Sequence, residues 1–245
     1  MTAKSIHSKA HLLRRVFVWE LPVRWYHWIN ALCILALIAT GIIIGNPPAI
    51  LSGKEAYAFY WFGTVRFIHF LTAYIFLFNF IFRIYWGFAG NKYASWKNFI
   101  PTNRQFFRDM WTVIKTDIFM TSSGKEIHSI GHNRMAGAIY FLTFLAFGLQ
   151  CLTGFGLYSA TSDWWLPNLF AWVPAFFGGD LMVRTIHHWA MWFFILFTVI
   201  HVYLVFYHDY VEGRGELSSM AGGWKFVEEE VFQKHHHPES KKEKA

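Results

Sequence analysis

"RTIHHWAMWFFILFTVIHVY", residues 184–203, is apolar along most of its length and yet contains three histidines. An ionisable side chain is costly inside a membrane, so its presence there indicates a functional site. His187 and His201 are 14 residues apart. At about 100° and 1.5 Å per residue, they fall within roughly 40° of one helix face and about 21 Å apart along the axis. The spacing predicts two sites on one helix, one near each membrane surface.

The composition of the whole chain is that of an integral membrane protein. Charged residues make up 15% of the 245 residues and hydrophobic residues 55%, whereas a soluble domain carries about 25% charged residues. The two cysteines, Cys33 and Cys151, lie in apolar runs outside any C-x-x-C pattern. This argues against a zinc site, a covalent haem or an iron–sulfur cluster. We read the net charge of +7 as a signal of membrane orientation and not of nucleic-acid binding.

Four apolar segments are long enough to cross about 30 Å of hydrocarbon as helices. The sequence therefore predicts an all-α fold, a bundle of four transmembrane helices. We assign residues 1–215 to a single membrane domain and residues 216–245 to a charged cytoplasmic tail, disordered at its end. The spans are expected at residues 28–45, 66–87, 135–158 and 186–208.

Lysine and arginine set the predicted orientation. Residues 1–26 hold five of them, residues 89–134 hold seven and the tail after residue 208 holds six. By contrast, residues 46–65 and residues 159–185 hold one each. Because basic residues concentrate on the cytoplasmic side, both termini and the middle loop are expected inside, and the two basic-poor loops outside.

Two further histidines match the depths of those in span four. His27 lies near the inner start of span one, level with His201, and His69 lies near the outer start of span two, level with His187. Helix bundles hold cofactors between facing side chains, and neutral imidazoles are axial ligands of haem iron. The pattern predicts two bis-histidine haems b, the inner on His27 and His201, the outer on His69 and His187.

Other polar residues near the membrane surfaces permit two interpretations each. Arg24 and Arg66 could pair with haem propionates or extend to lipid phosphate. We interpret His188 and His208 as interfacial anchors, since His188 falls well off the face shared by His187 and His201. Glycines in spans one and three allow either a flat macrocycle or another helix to approach closely; they are Gly41, Gly137, Gly148, Gly154 and Gly156.

Two other classes of protein compete with a two-haem electron carrier. A membrane di-iron enzyme would need dense histidine clusters at the cytoplasmic face, and only the pair at 187–188 approaches this, at the opposite end. A haem-free anchor or transporter is the non-redox alternative. A reduced-minus-oxidised spectrum would distinguish it from the haem-binding classes.

Several motifs occur in order over residues 20–225. They are "PVRWYHWINAL", "TGIIIGNPP", "VRFIHFLTAYIF", "RIYWGFAGNKY", "GHNRMA", "LTGFGLYS" and "HHWAMWFFILFTVIHVY". In this combination the chain resembles the b-type cytochrome subunit of membrane-bound nickel–iron hydrogenases. A γ-type cytochrome of a formate dehydrogenase or a related reductase shares four spans and similar ligand spacing, and is the alternative within the redox class.

The resemblance implies a role in the bacterial cytoplasmic (inner) membrane. The family binds two haems b at positions that match His27, His69, His187 and His201. Its partners are the small and large subunits of the hydrogenase, which lie outside and split H₂. Electrons then pass through the outer and inner haems to quinone, so that H₂ chemistry belongs to the partner and electron transfer to this chain.

Quinone reduction is expected near the inner haem, because protons and electrons must meet at the quinone. A quinone headgroup needs hydrogen-bond donors beside an apolar groove, and histidine can exchange protons near neutral pH. The candidates beyond Arg24 are His132, Arg134 and Tyr203.

Overall fold

Four long helices form the body of the protein in the computed structural model. The described residues are 13–48, 60–100, 104, 108, 111, 134–212, 215–229 and 232–233. The long helices are α1 (Leu21–Gly45), α2 (Trp61–Ala89), α3 (Arg134–Ser159) and α6 (Asp180–Glu212). The other elements are the short helices α4 (Trp165–Asn168), α5 (Val173–Phe176) and α7 (Glu216–Gly222), and the strands β1 (Leu13–Phe17) and β2 (Trp224–Glu228).

The four predicted spans are confirmed as helices. Each of the four long helices is long and apolar enough to cross a membrane, and α1 alone, with 25 residues, spans about 37 Å at 1.5 Å per residue. The helices extend beyond the predicted bounds, because a helix continues past the apolar stretch that hydropathy detects. Proline occupies the first turn of α1, where its missing N–H is not needed.

Aromatic side chains fill the centre of the bundle. Its buried members are Cys33, Phe76, Leu77, Phe147, Cys151, Phe155 and Phe194. The rings of Phe147 on α3 and Phe194 on α6 are stacked, with centroids 4.9 Å apart and planes 4° apart. Both cysteines are therefore packing residues with free thiols. Many other large apolar side chains of the spans are exposed, as expected for a surface that lipid covers.

The apolar loop between α3 and α6 forms no fifth span. It folds into α4 and α5, which both pack on α3. A Cβ atom on Gly156 would lie 2.8 Å from the Cβ atom of Val173. Glycine at this position of α3 therefore lets α5 close against the bundle.

The expectation of an all-α fold needs correction, because the chain is mostly helical and also contains a two-stranded sheet. Strand β1 pairs antiparallel with β2, from Leu13 opposite Glu228 to Phe17 opposite Trp224. The start of the expected tail, at residues 216–228, is thus folded against the N-terminal segment. Lys225 is buried in β2 and pairs with Glu216 of α7 at 2.5 Å. The expected disorder concerns residues 234–245, which lie outside the described residues.

Glu20 joins the N-terminal segment to the end of α2. Its Oε2 atom accepts hydrogen bonds from Nε1 of Trp86 at 3.1 Å and from the backbone N–H of Asn91 at 2.9 Å. Asn91 in turn donates from Nδ2 to the backbone oxygen of Val18 at 2.9 Å. The sheet end of the bundle is therefore fixed by polar contacts.

Arg83 near the end of α2 is almost fully buried, with 2% of its surface exposed. Its Nε donates to the hydroxyl of Tyr140 on α3 at 2.5 Å, and Nη2 donates to the backbone oxygen of Ala94 at 3.0 Å. A buried charge is costly unless partners surround it, and aromatic faces stabilise a guanidinium by cation–π attraction. Four rings lie 5.0–5.9 Å from its Cζ atom, those of Tyr26, Trp96, Phe99 and Tyr140.

Arg83→Lys should lower the thermal unfolding temperature of the detergent-purified protein. A single ammonium cannot reproduce the planar fork that reaches both Tyr140 and Ala94, and each hydrogen bond to a charged group contributes about 1.5–3 kcal/mol. Arg104→Lys is the matched control, because Arg104 is exposed. Equal unfolding temperatures for the two variants would show that the buried contacts of Arg83 are not needed for stability.

Candidate functional site

The histidines of α1 and α6 predicted to share a depth face each other. The ring centroids of His27 and His201 are 6.3 Å apart, with planes inclined by 54°. Imidazole nitrogens bind a metal at about 2.0–2.1 Å, so two rings on opposite sides of one iron have centroids roughly 6 Å apart. The separation therefore fits two axial ligands of one haem. We call His27 and His201 the inner pair, after the predicted orientation.

Aromatic rings surround the inner pair. Phe197, one turn earlier on α6, stacks on His201 with centroids 5.3 Å apart and planes 18° apart. The Trp28 ring meets His27 edge-on at 5.1 Å. Nδ1 of His27 is buried and has no hydrogen-bond partner among the described residues. The environment is apolar, as a cofactor with a large flat ring requires.

The other two histidines are His69, near the start of α2, and His187, near the start of α6. We call them the outer pair, after the predicted orientation. Nδ1 of His69 lies 2.8 Å from Oγ1 of Thr40 on α1, and Nδ1 of His187 lies 2.9 Å from Oγ1 of Thr153 on α3. Each ring is therefore held through Nδ1 by a threonine on a neighbouring helix.

A glycine follows each of these threonines and lies beside the ring. A Cβ atom on Gly154 would lie 3.0 Å from Cε1 of His187, tighter than side chains ordinarily pack, so glycine there leaves room for the ring. A Cβ atom on Gly41 would lie 3.6 Å from Cε1 of His69, and one on Gly148 would lie 3.7 Å from Cζ of Phe80, both ordinary contacts. Both interpretations offered for the glycines of spans one and three stay predictions.

Sequence reasoning missed the two threonines, although a signal was present. The dipeptide Thr-Gly occurs in "TGIIIGNPP" of span one and again in "LTGFGLYS" of span three. In both cases it lies toward the predicted outer end, at the depth of the outer pair. A repeated polar–small dipeptide inside two apolar spans indicates a shared contact.

Gln150, on α3, was also not predicted as a site residue. Its Nε2 atom lies 3.3 Å from Nε2 of His187, which is the nitrogen that a metal would use, and its Oε1 is buried without a partner among the described atoms. Gln150 therefore contacts the outer pair from α3.

Comparison with known proteins identifies the family to which this arrangement belongs. The family model described as prokaryotic cytochrome b561 matches residues 18–223. The chain belongs to this family. The match includes all four spans and both histidine pairs, and a b-type cytochrome binds haem b.

Relatives support the same assignment over most of their length. The Azotobacter vinelandii protein named probable Ni/Fe-hydrogenase B-type cytochrome subunit is 35% identical over 219 residues, 88% of this chain and 90% of the relative. Its namesake from Cupriavidus necator is 36% identical over 217 residues, 87% and 88% of the two chains. The Escherichia coli protein, probable Ni/Fe-hydrogenase 1 B-type cytochrome subunit, is 34% identical over 214 residues, 85% and 90% of the chains. The resemblance drawn from the sequence motifs is confirmed.

The two arginines predicted beside the haems, Arg24 and Arg66, have different surroundings in the structure. Arg24 donates from Nη1 to the backbone oxygen of Ala221, and its Nε is buried without a partner among the described atoms. It therefore joins α1 to α7. Arg66 is exposed and its Cζ lies 5.8 Å from the ring centre of Phe70. Contacts of either residue with a propionate stay a prediction.

The predicted quinone residues are only partly within the described structure. Tyr203 is exposed on α6 and stacks on Tyr207 with centroids 6.0 Å apart. Arg134 begins α3, with its side chain outside the described atoms, and His132 lies outside the described residues.

His188 contacts a different helix end from its neighbour His187. A Cβ atom on Gly45 would lie 3.0 Å from Cε1 of His188, so its ring packs against the end of α1. The described residues contain no group of three or more His, Cys, Asp or Glu side chains suited to a metal ion. The pairwise arrangement instead suits an iron whose four other ligands come from a macrocycle.

Proposed function

We propose that the chain is a dihaem cytochrome b that carries electrons across the membrane from a nickel–iron hydrogenase to quinone. The observation that carries the proposal is the facing inner pair, with ring centroids 6.3 Å apart, together with a second histidine pair about 21 Å away along α6. One site in each half of the membrane is what transmembrane electron transfer needs.

The four histidines would hold the two haems. His27 and His201 ligate the inner haem, and His69 and His187 the outer one. When bound, haem b supplies reversible one-electron chemistry. The protein positions the imidazoles from three different helices, and the rings of Trp28 and Phe197 contact the inner pair.

The hydrogenase is the proposed electron donor because the relatives are named as its B-type cytochrome subunits. The same names favour this donor over a formate dehydrogenase. H₂ splitting then belongs to the large and small subunits, on the outer side of the inner membrane. The basic-poor loop at residues 159–185 would face them, and it exposes large apolar side chains, those of Trp164, Trp165, Leu169, Trp172 and Phe176.

Alanine variants of the four ligands test the proposal by haem content. His69→Ala and His187→Ala should each remove the outer haem, and His27→Ala and His201→Ala the inner one, so that each purified variant retains about one haem per chain. His188→Ala is the matched control, because His188 adjoins a ligand but packs against Gly45, and it should retain both haems. The assignment would be contradicted if the His187→Ala protein contained two haems and the His188→Ala protein had lost one.

Quinone would be reduced at the inner end of the bundle. Tyr203, two residues beyond His201 on α6, has an exposed ring at the depth expected for the inner haem. A phenol, an imidazole and a guanidinium are all hydrogen-bond donors for a quinone carbonyl. We therefore keep His132, Arg134 and Tyr203 as the candidate quinone residues, and Arg24 as a further candidate.

Variants of these residues in the complete hydrogenase complex test the quinone site. At least one of His132→Ala, Arg134→Ala and Tyr203→Phe should retain both haems and H₂-dependent dye reduction, yet lose most of its quinone reduction. Tyr210→Phe serves as the control, because Tyr210 is 91% exposed. Wild-type quinone reduction by all three variants would place the site elsewhere.

A further inference from the structure

We propose that Thr40 and Thr153 fix the proton and the orientation of the two outer imidazoles and thereby lower the reduction potential of the haem those imidazoles bind. The inference rests on the proposed function, because it requires His69 and His187 to be haem ligands. It concerns residues that the ligand assignment does not include.

The hydroxyl of Thr40 fixes the protonation of His69. A hydroxyl has one proton, and Oγ1 of Thr40 lies 2.6 Å from the backbone oxygen of Ala36, to which it donates. That carbonyl oxygen cannot donate, so a contact this short needs the hydroxyl proton between the two oxygens. At 2.8 Å from His69 Nδ1, the same Oγ1 can then only accept. His69 must therefore carry its proton on Nδ1, which leaves the lone pair of Nε2 free to bind iron.

The second outer ligand repeats this arrangement on a different helix pair. Oγ1 of Thr153 donates to the backbone oxygen of Leu149 at 2.8 Å and lies 2.9 Å from Nδ1 of His187. The hydroxyl proton of Thr153 is thus used, so Oγ1 can only accept from His187, which carries its proton on Nδ1. Both outer rings thus present Nε2 as the metal-binding atom.

The glycine after each threonine completes the contact with the ring. Gly41 and Gly154 pass close to Cε1 of His69 and His187, at 3.6 and 3.0 Å from the position of an added Cβ. Each ring is held at Nδ1 by the hydroxyl and lies against the backbone of the next residue. The Thr-Gly dipeptide is therefore a two-residue contact that restricts both the tilt and the protonation of a ligand.

In the inner pair, His27 lacks such a hydrogen bond at Nδ1 among the described residues. Nδ1 of His27 is buried and unpartnered among the described residues. A hydrogen bond from the second ring nitrogen makes a ligating imidazole more basic, and a more basic ligand favours ferric over ferrous iron. The outer haem should therefore have the lower potential. Electron transfer from the outer site to the inner site would then be favourable, in the direction that quinone reduction by H₂ requires.

Isosteric variants test the role of the hydroxyl. Thr40→Val and Thr153→Val keep the shape and remove the acceptor, whereas Thr40→Ser and Thr153→Ser keep the acceptor. The matched control is Thr143→Val, because Thr143 is buried on α3 and bonds the backbone oxygens of Ile139 and Tyr140 at a site without a histidine. The measurements are pyridine haemochrome content and a potentiometric titration of the haem absorbance in the purified complex. A His69→Ala sample, which should retain only the inner haem, identifies the part of the titration curve that belongs to that haem.

In the valine variants we expect the outer component alone to shift to higher potential, or the outer haem to be lost through affinity reduced by about 10–100-fold. The serine variants and Thr143→Val should match the wild type. The proposal would be overturned by unchanged potentials in both valine variants or by a shift in the potential of the inner haem. It would also be overturned if the serine variants behaved like the valine variants. Failure of the proposed function would look different, since the wild type would then contain fewer than two haems, or His69→Ala and His187→Ala would retain both.

Discussion

The structure depends on the placement of two neutral imidazoles on one face of a single helix. Helix α6 presents His187 near one end and His201 four turns later, and each needs a partner from another helix if it is to hold a haem. The partners come from α1 and α2, which run in opposite directions, so each can supply a histidine near its own start. This arrangement requires four spans, an antiparallel order and aromatic packing between the two depths, where Phe147 and Phe194 stack at 4.9 Å.

The spans and the inner pair could be predicted from the sequence because both depend on helix geometry alone. Hydropathy finds an apolar helix without knowledge of its neighbours, and a fixed rise per residue gives the depth of each histidine. The predicted pairing of His27 with His201 corresponds to a centroid separation of 6.3 Å in the structure. For His69 and His187, the structure adds what depth could not give, a threonine contact to each ring.

Other features depend on contacts between distant segments, and the sequence could not predict them. Strands β1 and β2 have five residues each and lie more than 200 residues apart, so no local hydrophobic pattern connects them. Arg83 is buried although it is charged, because the Tyr140 hydroxyl, the Ala94 carbonyl and four rings surround it. The contact of Arg24 with α7 is of the same kind, because the carbonyl oxygen to which it donates belongs to Ala221, 197 residues away.

The proposed function requires two haems b, bound through two histidine pairs at different depths. The most direct test is a pyridine haemochrome assay on the purified wild-type protein, combined with protein quantitation. Two protohaems per chain, whose absorbance changes fully on reduction, are the predicted result. One haem per chain, or none, would contradict the account, because one of the two pairs would then be only a packing contact between helices.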